Sequence, residues 1–296
     1  MDTKALRIFA AVAETGSISR AAEKLHYVQS NVSARIQQLE DELGTELFYR
    51  QHRGMHLSNA GKVLKKYADE TLHLLTEARK AVHDTLSCGG SLTLGAMETT
   101  AAVRLPDVLI AYHRQYPHVD LDLTTATSGE LIKLVLEYQV DGALISGEVE
   151  HPDLITFEVF CEKLVLVTSP DISHISQLKQ PPTLFSFRRG CTYRAKVEQW
   201  AREQGYLPTR IMEFGSLDAI IGCAAAGLGV ALIPESVVCR PHYINQVNYF
   251  SLPEHIAHSP TLFIRHKNTL LTQAMQAFLQ LLMNKNQAIP HVKGVG

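Results

Sequence analysis

The chain has 296 residues, 46% of them hydrophobic, which is enough for more than one core, because single cores stop growing near about 250–300 residues. Its 28 Lys and Arg against 30 Asp and Glu leave a formal charge of −2, so the molecule is no polycation and any nucleic-acid surface must be local. No apolar run reaches the ~18 residues of a membrane helix, and the start, MDTKALRIF, lacks a signal peptide's apolar stretch and cleavage site, so a cytoplasmic protein without membrane association is expected.

Residues 1–58 read as helical by period. Leu6, Phe9, Ala10 and Ala13 fall at i, i+3, i+4 and i+7, and Gly16 ends that helix. Ser17 can cap a second helix, in which Ile18, Ala21, Ala22 and Leu25 repeat the spacing. After a break at His26-Tyr27-Val28, the stretch QSNVSARIQQLEDELG forms a third, with Val32, Ile36, Leu39 and Leu43 on the side facing the first two. Ser30, Ala34, Gln37 and Gln38 then point outward, with Gln29 and Ser33 flanking them at the amino end. In a helix-turn-helix the second helix of the pair enters the major groove amino end first. Gln suits adenine, Ser is permissive, and an Ala methyl can touch thymine.

The acidic run Glu40, Asp41 and Glu42 sits at the far end of this helix, away from a duplex, although acids are mildly unfavourable at the negative end of the helix dipole. Over 1–58 seven basic residues (Lys4, Arg7, Arg20, Lys24, Arg35, Arg50, Arg53) meet seven acidic ones (Asp2, Glu14, Glu23, Glu40, Asp41, Glu42, Glu46), so position rather than net charge carries the signal. The segment LFYRQHRGMHLSNAGK holds Arg50, Arg53 and Lys62 and no acid. Its Gly54 turn between two extended pieces reads as a β-wing that could lay Arg50 or Arg53 along a phosphate backbone or into a minor groove.

These residues resemble a known family. From FAAVAETGSISRAAEKL through QSNVSARIQQLEDELGTELFYR to LSNAGK, the segment is similar to the winged helix-turn-helix of LysR-type transcriptional regulators. The Ser-x-x-x-Ala-Ala-x-x-Leu run, the LE-x-x-LG-x-x-LF string and the closing AG carry the likeness together. The resemblance implies that Gln29, Ser30, Ser33, Ala34 and Gln37 face bases while Arg35, Arg50 and Arg53 act on phosphate or the minor groove of double-stranded DNA. There are departures. Val28 stands where the family often has a Ser ahead of the Gln, removing a cap hydroxyl, and Ala34 replaces a frequent Arg, with Arg35 beside it.

Residues 59–88 contain no proline and a single glycine, Gly61. Leu64, Tyr67, Ala68, Leu74, Leu75, Ala78, Val82 and Leu86 recur at the spacing of a two-helix seam, over a helix about 45 Å long. The stripe needs a partner, either the protein's own core or the same helix of a second chain, and the resemblance favours the second. The expectation is a homodimer through 59–88, assembling into a dimer or homotetramer that offers two recognition helices to a pseudo-palindrome. RNA polymerase is a candidate further partner.

At CGGSLTLG the pattern changes. Strand-like runs (Leu92–Ala96, Val119–Leu123, Gly142–Ile145, Leu164–Thr168, Val230–Ile233, Thr261–Ile264) alternate with helical ones (Ala102–Tyr116, Glu130–Tyr138, Tyr193–Gln204, Leu217–Ala226, Leu270–Met283). That alternation reads as α/β with mostly parallel strands, whose ligands sit at strand carboxyl ends. This half looks like the LysR effector domain, which resembles type 2 periplasmic binding proteins with two Rossmann-like lobes. The implied fold is thus multidomain: winged helix-turn-helix 1–58, linker helix 59–88 and effector domain 89–296, with lobe I at 89–162 and 267–296 and lobe II at 163–266.

Three stretches put small polar groups between a strand and a helix, where free backbone N–H groups favour anions. They are METTAA with Thr99 and Thr100, TSGE with Ser128 and Gly129, and FRRGCTYR with Arg188, Arg189, Cys191 and Thr192. In the family these positions line an inter-lobe pocket, so a small-molecule effector carrying a carboxylate is expected. Taken singly, Thr99 and Ser128 are equally readable as helix caps, and the arginines as solvated. The alternative is a thiol-based redox-sensing regulator acting through Cys191, since Arg188, Arg189, Arg194 and a helix start would lower its pKa. Five cysteines without CxxC spacing otherwise fit reduced thiols.

Enzymatic readings fail. GGSLTLG is not G-x-G-x-x-G, AAGLGVALIP is a helix-to-strand turn, no G-x-S-x-G elbow occurs, and His113/His118 and His255/His258 lack metal-ligand partners at useful spacing. No cofactor or metal is expected.

Overall fold

Asp2 starts the first helix: its carboxylate accepts from the Ala5 amide at 2.8 Å, capping α1 (Thr3–Thr15). The computed structural model describes residues 1–51, 54–84, 89–178, 181–206 and 210–287. The chain divides into two units, Met1–Val82 and His83–Gly296.

In the first unit Gly16 ends α1 in the left-handed region and Ser17 caps α2 (Ile18–Leu25) through the Arg20 amide. The next helix, α3 (Gln29–Leu43), starts at Val28 with no side-chain cap and ends at Gly44. Leu6, Phe9 and Val12 of α1, Ala21 and Ala22 of α2, and Val32, Ile36 and Leu39 of α3 make one core with Leu47 and Phe48. The fourth residue expected there, Leu43, is 41% exposed, because the last turn of α3 runs beyond the reach of α1 and α2. Ala10 and Ala13 are only half-buried, while Ile8 and Ala11 are buried, so the covered face of α1 is rotated from the one the spacing marked.

The antiparallel hairpin β1 (Phe48–Gln51) and β2 (Gly54–Leu57) follows, the expected wing. The Met55 amide donates to the Gly16 carbonyl at 2.9 Å, which fastens the wing to the α1–α2 turn. After it comes α4 (Asn59–Asp84), 26 residues and about 39 Å long. Its beginning packs into the core through Ala60, Leu64, Ala68 and Leu72. Gly61 is required there: a Cβ would lie 2.1 Å from the Leu47 carbonyl oxygen. Residues 85–88, including Leu86, lie outside the described residues.

The second unit holds β3 (Gly90–Ala96), α5 (Glu98–Val103), α6 (Leu105–Gln115), β4 (Val119–Thr125), α7 (Ser128–Leu136), β5 (Gly142–Ser146) and the 15-residue β6 (Leu154–Thr168). Then come β7 (Leu184–Ser186), α8 (Thr192–Glu203), β8 (Ile211–Glu213), α9 (Leu217–Ala225), β9 (Val230–Pro234), α10 (Glu235–Val238), β10 (Asn248–Ser251), α11 (Glu254–Ala257), β11 (His258–His266) and α12 (Gln273–Gln287). The strand order is β4-β3-β5-β11-β6-β9-β7-β8, with β10 also on β6.

Each lobe is a sheet between two helical layers. In the first, α6 and α12 cover one face around Tyr112, Phe263 and Phe278, and α7 covers the other around Leu131, Val135 and Ile145. In the second, Tyr193, Val197 and Trp200 of α8 cover one face, and Ile220, Ile221 and Ala224 of α9 the other. The helical run foreseen from Ala102 breaks at Arg104 into α5 and α6, with Pro106 in the first turn of α6.

Two strands carry the chain between lobes. β6 and β11 pair antiparallel from Leu154↔His266 to Lys163↔His258, with a register shift between Thr261 and Leu262. The beginning of β6 lies in the first lobe, and its end pairs with β9 and β10 in the second. Residues Thr261–Ile264 of β11 pair with β5, so the return crossing falls inside β11 rather than after 266. This corrects the mostly parallel sheet of the sequence reading. The ladders β3/β4, β3/β5, β7/β8 and β7/β9 are parallel, while those of β6 and β11 are antiparallel. A strand that runs back beside its partner needs no helical crossover.

Candidate nucleic-acid interface and ligand cleft

On α3, Gln29, Ser30, Ala34 and Gln37 are exposed and Ser33 is half-buried, so an uncharged strip runs along the outer face from the amino end. Gln29 is oriented: the Ser19 hydroxyl on α2 donates to its Oε1 at 3.2 Å. The Gln37 amide donates to Asp41 at 3.0 Å. Arg35 is engaged within the protein, donating to Gln38 Oε1 at 2.7 Å and pairing with Asp2. The Ala5 amide and then Arg35 hold the Asp2 carboxyl below its ordinary pKa. Arg50 stands opposite Met55 in the wing, and Arg53 lies outside the described residues.

The acidic end of α3 acquires a role that spacing did not disclose. Glu40 Oε1 accepts from the Leu47 amide at 2.7 Å and the Phe48 amide at 3.2 Å, tying the helix to the start of the wing. Tyr27 and Val28, read from the sequence only as a break and a missing cap and not as contact residues, are exposed and apolar beside the amino end of α3. The signal is the missing cap hydroxyl at Val28, which leaves an exposed methyl-bearing surface at the start of the helix.

In the second unit, a cavity of about 180 Å³ opens between the lobes, lined by Thr99, Thr127, Ser128 and Glu130 from the first lobe and Phe187, Arg188, Cys191 and Tyr193 from the second. It is also bounded by Met97, Glu98, Thr125, Ala126, Phe214 and Gly215. The three quoted stretches do converge there. Of the eight residues singled out in them, Thr99, Ser128, Arg188 and Cys191 line the cavity. Thr100 is buried in α5 outside the lining. Gly129 donates to the Gly190 carbonyl at 3.3 Å, and Thr192 Oγ1 to the Ser146 carbonyl at 2.7 Å, so these two join the lobes at the cleft's edge. Arg189 lies with Thr192 on a separate outer depression.

Local geometry explains the placement. The Thr127 hydroxyl caps α7, while the Glu130 carboxylate accepts back from the Thr127 amide at 3.0 Å and hydroxyl at 2.8 Å. Those bonds, with Arg188 across the cleft, hold the Glu130 carboxyl below its ordinary pKa. Ser128 Oγ accepts from the Ser146 amide at 3.1 Å. Tyr193, 4% exposed, has a buried hydroxyl beside Thr99 and Ser146 that meets no well-formed hydrogen-bond partner among the described residues, and burial drives its pKa well above the usual range. Tyr193, Glu98 and Glu130 stood inside the quoted stretches without being singled out. Phe214 and Gly215 belong to a fourth turn of the same kind, FGSL, where Ser216 caps α9.

The lobes are also joined beside the crossing. Arg104 Nε donates to Glu162 Oε1 at 2.7 Å, and the Ser236 hydroxyl donates to Glu162 Oε2 at 2.8 Å. Arg104 lies 5.1 Å from the centre of the Phe160 ring, and both charged side chains are under 10% exposed (9% and 7%).

Cys191 stands in a different setting from the one the neighbouring arginines suggested. Burial pushes its thiol pKa up despite the amides of Arg194 and Tyr193 and the charge of Arg194. Arg194 itself is engaged by Glu198 at 2.9 Å and by Glu213. Cys191 packs on the α8 side of the second lobe's sheet, and Cys223 and Cys239 pack on the α9 side.

The helix-turn-helix profile of bacterial regulatory proteins of the lysR family matches residues 3–62, and that of the LysR substrate binding domain matches residues 88–287. The HTH-type transcriptional regulator GltR of Bacillus subtilis is 45% identical over 282 residues, covering 94% of this chain and 95% of that protein. A full-length OxyR variant from Pseudomonas aeruginosa superposes with a TM-score of 0.73 at 21% identity, over 95% of this chain and 94% of that one. Full-length CbnR complexed with its target DNA superposes at 0.63 and 21% identity, over 96% and 99%. These last two establish likeness of fold.

Proposed function

Because the chain belongs to the LysR family of bacterial helix-turn-helix regulators, we propose that this DNA-binding transcriptional regulator reads a specific operator with α3 and answers to a small ligand carrying an anionic group, held between the lobes of its effector-binding domain. The observation that carries the reading is the uncharged outer strip of α3, Gln29, Ser30, Ala34 and Gln37, on a helix whose opposite face is sealed into a core. Side chains of this kind read base edges in a major groove. Arg35, Arg50 and Arg53 would contact phosphate or the minor groove, Arg35 by exchanging Asp2 for the duplex. CbnR, with the same fold, has been seen on its target DNA.

On α4, Val63, Tyr67 and Leu74 are exposed and share one side of the helix with Ala78. We assign this face to a second copy, giving a homodimer that can pair into a homotetramer. RNA polymerase is a candidate further partner, and a DNA target is in keeping with a cytoplasmic protein. The relatives it matches are regulators and not enzymes.

Footprinting tests the docking. Gln29→Ala is expected to lower discrimination at one base pair of the operator by about 1–3 kcal/mol. An unaltered site preference would contradict the placement of α3.

A further inference from the structure

The inter-lobe cavity has charged side chains of both signs that no ion pair or side-chain hydrogen bond to a described residue engages, although the charge of Arg188 reaches Glu130 and Glu213. Arg188, whose guanidinium passes Gly215, makes no ion pair and no side-chain hydrogen bond with a described residue. Glu98, half-buried in the first turn of α5, likewise makes none. Glu130 is engaged by Thr127, so the charged side chains of the lining that no hydrogen bond holds are Arg188 and Glu98, with the Tyr193 hydroxyl buried behind them beside Thr99 and Ser146. α8, of 12 residues, follows Cys191, which lines the same cavity and gives the helix no side-chain cap.

A ligand bearing only anionic charge satisfies Arg188, the Tyr193 hydroxyl and the α8 amides, but it faces Glu98 across a small space. Formal charges on the lining are Arg188 against Glu98 and Glu130, one positive and two negative, which disfavours a dianion. A cation alone leaves Arg188 and Tyr193 unmet. A molecule carrying both groups answers each in turn. The space, about 180 Å³, equals roughly six water volumes and lies below the ~300 Å³ at which drug-sized pockets begin, so the molecule is small. Resting on the cleft reading above, we propose that the ligand is a small zwitterion of the α-amino-acid class, its carboxylate toward Arg188, Thr99 and Tyr193 and its ammonium on Glu98.

The test is calorimetry and thermal-shift titration of the full chain with the twenty standard amino acids, each beside the carboxylic acid in which hydrogen replaces the amino group. At least one amino acid is expected to bind, and its des-amino counterpart to bind roughly tenfold to a hundredfold more weakly. Glu98→Gln, checked for native folding by circular dichroism, is expected to remove that preference by weakening the amino acid alone. Arg188→Gln is expected to weaken both compounds. Absence of binding by every amino acid, equal binding of a pair, or a preference that survives Glu98→Gln would each overturn the proposal. Binding of des-amino acids alone would overturn it while leaving the cleft as the effector site. Binding that Arg188→Gln does not weaken would count against the cleft itself.

Discussion

Glu40 shows what one side chain does when the local rule is against it. An acid near the carboxyl end of a helix opposes the helix dipole, yet this one accepts from the amides of Leu47 and Phe48, which would otherwise be under-satisfied where the chain leaves α3 for the wing. Two charge-assisted bonds outweigh a dipole penalty of a few tenths of a kcal/mol. Glu40→Ala is therefore expected to destabilise the protein by about 1–3 kcal/mol in urea unfolding, and an unmoved midpoint would refute the anchoring role. At Val28 the balance goes the other way, since a capping hydroxyl is forgone and an exposed apolar group gained.

At the scale of elements, the paired strands β6 and β11 are the only backbone route the described residues provide from one lobe to the other, and Arg104–Glu162 bolts helices of both lobes to it. A buried ion pair adds little net stability over a well-packed apolar pair, but loss of the Glu162 charge takes from Arg104 and Ser236 the carboxylate that both donate to. Glu162→Gln should lower the stability of the full chain by about 3–5 kcal/mol, read by denaturant unfolding of the second unit. A loss below about 1 kcal/mol would mean that Arg104 finds another partner or water.

For the whole molecule, the exposed face of α4 carries the prediction. Tyr67 and Leu74 are already solvent-facing, 61% and 59% exposed, so the double change Tyr67→Asp with Leu74→Asp should cost the folded protomer no more than about 0.5 kcal/mol each. It should nevertheless shift sedimentation from dimer to monomer and weaken operator binding, because two half-sites are then read separately. A dimer that survives the double change would move the interface elsewhere. Ligand control belongs to this scale as well: a ligand held between the lobes can shift the balance between two arrangements of them only by as much as its affinity differs between those arrangements.

The sequence by itself determined the early helices and their boundaries at Gly16, Ser17 and Gly44, the wing, the long helix and the alternation of the second half, because caps, glycines and apolar period act within a few residues. It also marked the three stretches that meet at the cavity, since each is a strand-to-helix turn with its own local chemistry. Only the tertiary structure decided that Leu43 faces solvent, that β6 and β11 run antiparallel between lobes, that Glu40 reaches Leu47, and that Phe214 and Tyr193 complete the cavity. It likewise reversed the expected direction for the Cys191 thiol, because burial and the engagement of Arg194 by two glutamates depend on elements distant in the chain. Spacing reports which side of an element is apolar; what lies across from that side, and how deeply it is covered, is set by packing.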